Sequence, residues 1–177
     1  SEIGNQQRFT FAEGAHLINY AQRTVDNRIA IGGRGARYPW NSMLDTRREE
    51  TAAVHKRLKK QVIEWFPQLS EVKFTHAWGG AVAITRDWEP YVIWDRTRGI
   101  GRLGGYAGDG VTMSYLSARA LAAEITERDD ESRSLHFVNR AIRQWEPEPL
   151  RYLAVNTLVE LNGIADREER LTGRPSY

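Results

Sequence analysis

Residues 102–111 read Arg-Leu-Gly-Gly-Tyr-Ala-Gly-Asp-Gly-Val, and they connect the end of an apolar strand to a long helical pattern. Asp109 is a residue type that favours the N-cap of a helix. Gly105, Gly108 and Gly110 allow the backbone to approach a neighbour closely and leave amide groups uncovered. A helix start of this kind attracts the electron-rich edge of a ligand, although an ordinary strand-to-helix connection has the same pattern.

The patterns on both sides of this turn predict an α+β fold. Strands are predicted at residues 15–24, 28–33, 71–85, 91–95 and 100–105. Helices are predicted from apolar residues at three- and four-residue steps at residues 45–66, 112–127 and 150–171. Because four of the strands form two hairpins, we expect a mostly antiparallel sheet with one long crossover helix, C-terminal helices and no complete Rossmann domain.

Single residues set several of the predicted boundaries. Asp45 is expected to cap the first helix, and Pro67 is expected to end it. The pair Gly79-Gly80 is expected to break the long strand with a bulge or a close approach. Residues 135–145 are ambiguous and could form a short helix.

The composition excludes several classes of protein. The chain has 177 residues, a formal net charge of +2 and no cysteine. The weak, mixed charge does not favour nucleic-acid binding, and the lack of cysteine excludes disulfides and thiolate metal sites. No apolar run approaches the ~20 residues of a membrane helix, and no signal peptide opens the chain. We therefore expect a cytoplasmic protein without a membrane partner and, since Ser1 is not methionine, a piece of a longer chain.

A dinucleotide-binding fingerprint, Gly-x-Gly-x-x-Gly, occurs at residues 99–104, but its surroundings do not suit it. The fingerprint needs a strand before its first glycine, a helix at its last and an acidic residue about 20 positions on. Gly99 instead closes a hairpin turn, Gly104 runs on into Gly105, and Glu124 lies inside the predicted helix. A self-contained NAD-binding enzyme is therefore a minor alternative, which predicts NAD binding by this chain.

Other catalytic signatures are missing from the sequence. The histidines are scattered without the spacing of metal ligands, at His16, His55, His76 and His136. No serine lies in a nucleophile elbow, and no Walker-type loop occurs. The catalytic residues are therefore unknown, and no metal site is predicted. His76, beside Trp78, is either a site residue or a histidine satisfied in the core.

Three stretches resemble, in order and spacing, the C-terminal part of FAD-dependent amine and amino-acid oxidoreductases, the D-amino-acid oxidase-like superfamily. They read Tyr-Ala-Gln-Arg-Thr-Val-Asp-Asn-Arg-Ile-Ala-Ile-Gly-Gly-Arg-Gly at 20–35, Trp-Gly-Gly at 78–80 with Thr-Arg-Asp-Trp-Glu-Pro at 85–90, and Gly-Gly-Tyr-Ala-Gly-Asp-Gly-Val at 104–111. The resemblance covers about residues 8–127. Glycine oxidase, sarcosine oxidase and γ-glutamylputrescine oxidase-like proteins belong to this superfamily.

The resemblance implies that FAD is the cofactor of the intact enzyme and that a Rossmann-like domain upstream carries the true fingerprint. This chain alone is then expected to bind FAD weakly or not at all. The implied cofactor-side residues are Asp87, Pro90, Gly105, Tyr106, Ala107, Gly108, Asp109, Gly110 and Val111. The implied substrate-side residues are Trp78, Tyr38 and Arg34, together with Tyr106. The amides and helix dipole at 108–111 would stabilise negative charge at the N1/C2=O edge of the reduced flavin.

One departure bears on the substrate. Relatives that oxidise amino acids clamp the carboxylate with an arginine, at positions that here hold Val82 and Gly108. A bidentate clamp is hard to replace, so an amine is favoured over an α-amino acid, with Arg34, Arg37 and Arg86 as candidate substitutes.

The resemblance predicts a division of the chain by role. Residues 1–105 would form the substrate-domain sheet with helix 45–66, residues 106–127 the flavin-facing turn and helix, and residues 128–177 a helical extension that could support a homo-oligomer. The leading hypothesis is a fragment, inactive alone, of an enzyme that oxidises a C–N bond of a small amine or amino acid by hydride transfer to flavin. The alternative is a non-enzymatic binding or interaction domain with the same fold.

Overall fold

The computed structural model describes residues 7–45 and 52–176. Over these residues the strands are β1 (Phe11–Ala12), β2 (Asn19–Arg23), β3 (Ile29–Gly33), β4 (Tyr91–Asp95) and β5 (Ile100–Gly104). The α-helices are α1 (Ala52–Trp65), α2 (Gly110–Thr126) and α3 (Leu150–Thr172). Short 3-10 turns lie at Trp40–Ser42, Pro67–Leu69 and Glu131–Ser134. None of the described helices combines the length and apolar character that crossing a bilayer requires.

Contacts group the chain into two units. Unit 1 comprises Ser1–Gly80 and Glu148–Tyr177, and unit 2 comprises Ala81–Pro147. Unit 1 contains the antiparallel sheet β1-β2-β3, and unit 2 contains the antiparallel pair β4-β5. This arrangement confirms the α+β class. The division by role at residues 105 and 127 is a separate matter and stays a prediction.

The first predicted hairpin is confirmed, with a shorter first strand. β2 pairs with β3 from Asn19↔Gly33 to Arg23↔Ile29, whereas residues 15–18 lie outside the strand. Gly33 makes the close packing of helix α1 possible, because a Cβ there would lie 2.9 Å from Leu58 and would clash with Asn19. Helix α1 therefore packs closely against β3, and Ala21 on the neighbouring strand is 1% exposed.

Helix α3 is held to the N-terminal segment of unit 1 by Asp166. The backbone amides of His16 and Leu17 donate to its two carboxylate oxygens at 2.8 and 3.1 Å. His16 Nε2 lies 3.2 Å from Glu169 Oε1, which also accepts the amide of Ser176 at 2.8 Å. The carboxylates of Asp166 and Glu169 thus connect helix α3 to residues 16–17 and to Ser176.

The predicted strand at residues 71–85 is wrong. The segment has no regular structure, and residues 71–83 are exposed. None of the described strands pairs with it. Because β-propensity depends on a neighbouring strand and a packed face, a Val- and Phe-rich composition is not enough by itself to form a strand.

From residue 91 to residue 126, unit 2 agrees closely with the prediction from the sequence. Strands β4 and β5 pair from Tyr91↔Gly104 to Asp95↔Ile100, and helix α2 follows as predicted. The core consists of Val92, Ala120 and Phe137, all less than 4% exposed. Gly101 brings the hairpin close to α2, because a Cβ there would lie 2.8 Å from Leu121.

Residues 135–145, which the sequence leaves ambiguous, do not form a helix. Val92 donates its amide to the carbonyl of Phe137 at 2.9 Å, and Asn139 donates its amide to the carbonyl of Val92 at 2.7 Å. The segment thus runs beside β4 and forms a parallel bridge between Val92 and Val138. Leu135, Phe137 and Val138 of this segment contribute to the core of unit 2.

Two further boundaries concern helices α1 and α3. The predicted start of α1 at Asp45 adjoins residues 46–51, which lie outside the described residues. The helix ends at Trp65, before Pro67, as predicted. Helix α3 agrees with the prediction and is followed by Gly173 in the left-handed conformation, a common helix end.

Replacing Asp166 with alanine should lower the free energy of unfolding by roughly 1–3 kcal/mol, because two partly buried amides lose their acceptor. Urea unfolding followed by far-UV circular dichroism measures this change. Glu160→Ala on the same helix is the control, since Glu160 forms an exposed pair with Arg37 that is worth about 0–1 kcal/mol. Equal effects of the two substitutions would contradict the role of Asp166.

Candidate functional site

The glycine turn, residues 104–110, reverses the chain between β5 and α2. Gly105, Ala107 and Gly108 have φ angles of 78°, 49° and 127°. Glycine adopts such angles without steric cost, whereas other residues do so rarely. The backbone path therefore favours glycine at positions 105 and 108.

The start of helix α2 offers uncovered amides. Asp109 occupies the predicted N-cap position, but its side chain makes no capping hydrogen bond. The amides of Gly110, Val111 and Thr112 begin the helix and so have no acceptor within it. Val111 is 94% exposed. These donors lie at the positive end of the helix dipole and can accept an electron-rich ligand edge.

A second turn, residues 85–90, packs directly against the glycine turn. A Cβ at Gly105 would lie 2.8 Å from the carbonyl oxygen of Glu89 and 2.9 Å from Thr85 Cγ2. Thr85 Oγ1 donates to that same carbonyl at 2.8 Å. The structure thus brings together Asp87 and Pro90 on one turn with Gly105 on the other.

Asp87 is an ion-paired carboxylate. Arg140 Nη1 and Nη2 donate to its two oxygens at 2.7 and 3.1 Å. These hydrogen bonds, with help from the amide of Glu89, lower the pKa of Asp87 to about 2. Because the pKa is lowered on folding, the pair stabilises the fold above pH ~4 and loses that effect as the pH falls toward 2.

Arg140 is a residue that sequence reasoning missed. It lies 53 residues from Asp87 in the chain, in a segment without a local pattern that points to this contact. No helical or strand periodicity pairs two such positions. Only the run of residues 135–141 beside β4 brings the guanidinium to the turn.

Tyr106 adds a buried hydroxyl to the glycine turn. Its Oη is buried and has no hydrogen-bond partner, and its ring lies 3.6 Å from the Cβ position of Gly110. Uncovered amides at a positive helix end are the donor type that suits the acceptor atoms N1 and O2 of a flavin ring. The residues present therefore fit one edge of FAD.

The implied substrate-side residues Trp78, Tyr38 and Arg34 all belong to unit 1, whereas the cofactor-side residues belong to unit 2. Trp78 is 70% exposed, and its carbonyl lies 3.2 Å from His55 Nε2. The hydroxyl of Tyr38 donates to Glu148 Oε1 at 2.9 Å. Arg34 is exposed. The roles of these residues toward a substrate stay predictions.

Two of the candidate substitutes for a carboxylate clamp already have carboxylate partners. Arg86 Nε donates to both oxygens of Glu146 at 2.9 and 2.8 Å. The pKa of Glu146 is lowered by a hydrogen bond from its own amide and by the bonds from Arg86. Arg37 pairs with Glu160. An added carboxylate would compete with these partners at either arginine.

A polar cavity of about 300 Å³ lies in unit 1 between α1 and α3. The half-buried Arg57 and the buried Asn19 and Gln61 line part of it. None of the implied cofactor-side or substrate-side residues lines this cavity.

The part of the chain that contains both turns is similar to known proteins. The family profile DAO, FAD dependent oxidoreductase, matches residues 3–124. A probable oxidoreductase OrdL of Rhizobium meliloti (strain 1021) is 33% identical over 106 residues, which is 60% of this chain and 22% of that protein. Gamma-glutamylputrescine oxidoreductase of Escherichia coli (strain K12) is 32% identical over 119 residues, 66% of this chain and 25% of that protein.

A probable oxidoreductase OrdL of Haemophilus influenzae (strain ATCC 51907 / DSM 11121 / KW20 / Rd) is 26% identical over 126 residues, 67% of this chain and 24% of that protein. The chain thus spans about a quarter, or less, of the length of these relatives. No solved structure is a significant match. Arg140 and helix α3 lie beyond the residues that the family profile matches.

Replacing Gly105 with alanine should lower the free energy of unfolding by roughly 2 kcal/mol or more, because the new methyl group meets Glu89 and Thr85 at a positive φ. Gly110→Ala is the matched control, since its Cβ has only an ordinary contact at 3.6 Å. We expect it to change stability by less than about 0.5 kcal/mol. Urea unfolding of both variants tests the packing of the two turns, which similar losses would contradict.

Proposed function

The chain belongs to the DAO family of FAD-dependent oxidoreductases, and we propose that it forms the downstream part of a longer flavoenzyme that oxidises a C–N bond. The family match confirms the resemblance seen in the sequence. The coverage of the relatives, a quarter or less of each, supports a longer protein. The single observation that carries the role of this chain is the uncovered start of α2 at the end of the glycine turn.

We propose an amine as the substrate. One relative is named for gamma-glutamylputrescine. Positions 82 and 108 hold Val82 and Gly108, not the arginine of amino-acid-oxidising relatives. Arg37 and Arg86 are paired with Glu160 and Glu146, and this also argues against a spare carboxylate clamp.

When bound, FAD would supply the hydride acceptor for oxidation of the bond between the substrate nitrogen and its neighbouring carbon. The contribution of this chain is position and electrostatics. The amides of Gly110 and Val111 would donate to the electron-rich edge of the ring, and the α2 dipole would favour negative charge there.

Asp87 does not serve as a proton acceptor in this scheme. Its pKa of about 2, held down by Arg140, makes it a poor base near neutral pH. Its role is to hold the 85–90 turn in place. Trp78, Tyr38 and Arg34 are proposed to face the substrate, and the 70% exposure of Trp78 is compatible with that role.

In the flavin-loaded longer protein, Gly110→Ala and Asp109→Asn should each change the visible spectrum or the redox potential of the flavin. Gly110→Ala places a methyl group at the helix start without disturbing its neighbours. Asp109→Asn removes a charge from an exposed side chain beside the same amides. Absorption spectroscopy and a redox titration measure both effects. If both variants keep the spectrum and potential of the wild type, the turn does not lie beside the flavin.

The 177-residue chain alone should bind FAD weakly or not at all, because its described residues offer donors to one edge of the ring and contain no dinucleotide fingerprint between a strand and a helix. Titration of the chain into FAD, followed by flavin fluorescence, should show little or no quenching. A yellow chain that keeps its flavin through gel filtration would overturn this proposal. The alternative, a non-enzymatic binding or interaction domain, predicts that the gene encodes no strand–helix unit with a Gly-x-Gly-x-x-Gly fingerprint upstream.

A further inference from the structure

Arg140 donates all of its guanidinium N–H groups within unit 2. Nε donates to the carbonyl of Pro90 at 2.7 Å. Nη1 donates to Asp87 at 2.7 Å and to the carbonyl of Ala141 at 3.3 Å. Nη2 donates to Asp87 at 3.1 Å and to the carbonyl of Glu89 at 2.7 Å. A guanidinium has five donors in a fixed fork, so the 85–90 turn is shaped around this one side chain, which is 15% exposed.

The segment that carries Arg140 is itself fixed to the core of unit 2. Phe137 is 3% exposed and belongs to that core. The amide of Asn139 donates to the carbonyl of Val92 at 2.7 Å. Its side-chain amide donates to Glu124 Oε2 at 3.0 Å. Arg140 is therefore presented to the turn from a scaffold that strand β4 and helix α2 both hold.

Glu89 connects the 85–90 turn to the glycine turn. Its carbonyl accepts from Arg140 and from Thr85, and the same oxygen lies 2.8 Å from the Cβ position of Gly105. A shift of this carbonyl would therefore push on the backbone at Gly105. Direct contacts thus link Arg140 through Glu89 to Gly105, in the turn that leads into α2.

We propose that Arg140 is a positioning residue that fixes the 85–90 turn and, through Glu89, the glycine turn that faces the flavin ring. The flavin part of this inference rests on the proposed function, whereas the contacts do not. Arg140 lies beyond residues 3–124, which the family profile matches. The C-terminal extension thus completes a site whose other residues belong to the family region.

Lysine cannot replace arginine in this position. It keeps the positive charge but offers three donors from one point, without the planar fork. Arg140→Lys therefore removes the geometry and keeps the charge, and Arg140→Gln removes both. Arg96→Lys is the matched control, because Arg96 pairs with Glu127 on the exposed surface of the same unit.

Hydrogen exchange on the 177-residue chain tests the contacts without flavin. In both Arg140 variants, the hydrogen-bonded amides within residues 85–91 and 104–109 should exchange at least about tenfold faster. The exchange rates of amides in β2 and α3 should be unchanged. Exchange throughout the Arg96→Lys chain should also be unchanged. In Arg140→Gln the pKa of Asp87, followed by carboxyl NMR, should rise from about 2 toward its ordinary value. If Arg140→Gln does not fold, Arg140→Lys supplies the exchange data.

The flavin-loaded longer protein tests the second half of the inference. The visible spectrum and redox potential should shift in Arg140→Lys and stay unchanged in Arg96→Lys. Unchanged exchange at both turns would overturn the positioning role and leave the proposed function untouched. Faster exchange with an unchanged flavin spectrum and potential would overturn the inference and also the placement of the turns beside the flavin.

Discussion

The candidate site depends on the contacts of one atom, the carbonyl oxygen of Glu89. It accepts hydrogen bonds from Thr85 at 2.8 Å and from Arg140 at 2.7 Å, so both of its lone pairs are used. It also lies against the backbone of Gly105, where a Cβ would be only 2.8 Å away. The 85–90 turn, the glycine turn and the C-terminal segment meet at this atom. A side chain at residue 105 would separate them.

The packing around this contact explains how an uncovered helix start can be held in place. Strand β4, helix α2 and residues 137–139 share a core around Val92, Ala120 and Phe137. The amides of Gly110 and Val111 are thus presented by a packed scaffold, although Val111 itself is 94% exposed. Electrostatic stabilisation of a bound group is most effective when the donors are held in advance. This favours a cofactor-facing role over that of an ordinary connection.

The sequence predicts the elements whose pattern is local. The hairpins at β2-β3 and β4-β5, the helices α2 and α3 and the N-cap position of Asp109 all follow from short-range periodicity and turn residues. Residues 71–85 are wrongly predicted because strand formation depends on a pairing partner that the local composition does not reveal. Residues 135–145 are ambiguous for a similar reason, since their apolar residues serve β4 and not a helix of their own.

The contacts of the site are less predictable than its elements. The resemblance to the family predicts which turns face the cofactor, yet the ion pair between Asp87 and Arg140 spans 53 residues and follows no motif. The carboxylate partners of Arg37 and Arg86 are equally hidden in the sequence. From the sequence, charged residues of this kind are predicted to lie on a solvated surface, and only the fold shows their partners.

The most direct test of the central claim is a crystal structure of the flavin-loaded longer protein. The amide nitrogens at the start of α2, at Gly110 and Val111, should lie about 2.7–3.2 Å from N1 or O2 of the flavin ring. A flavin ring bound elsewhere, with these amides facing water or another part of the chain, would contradict it.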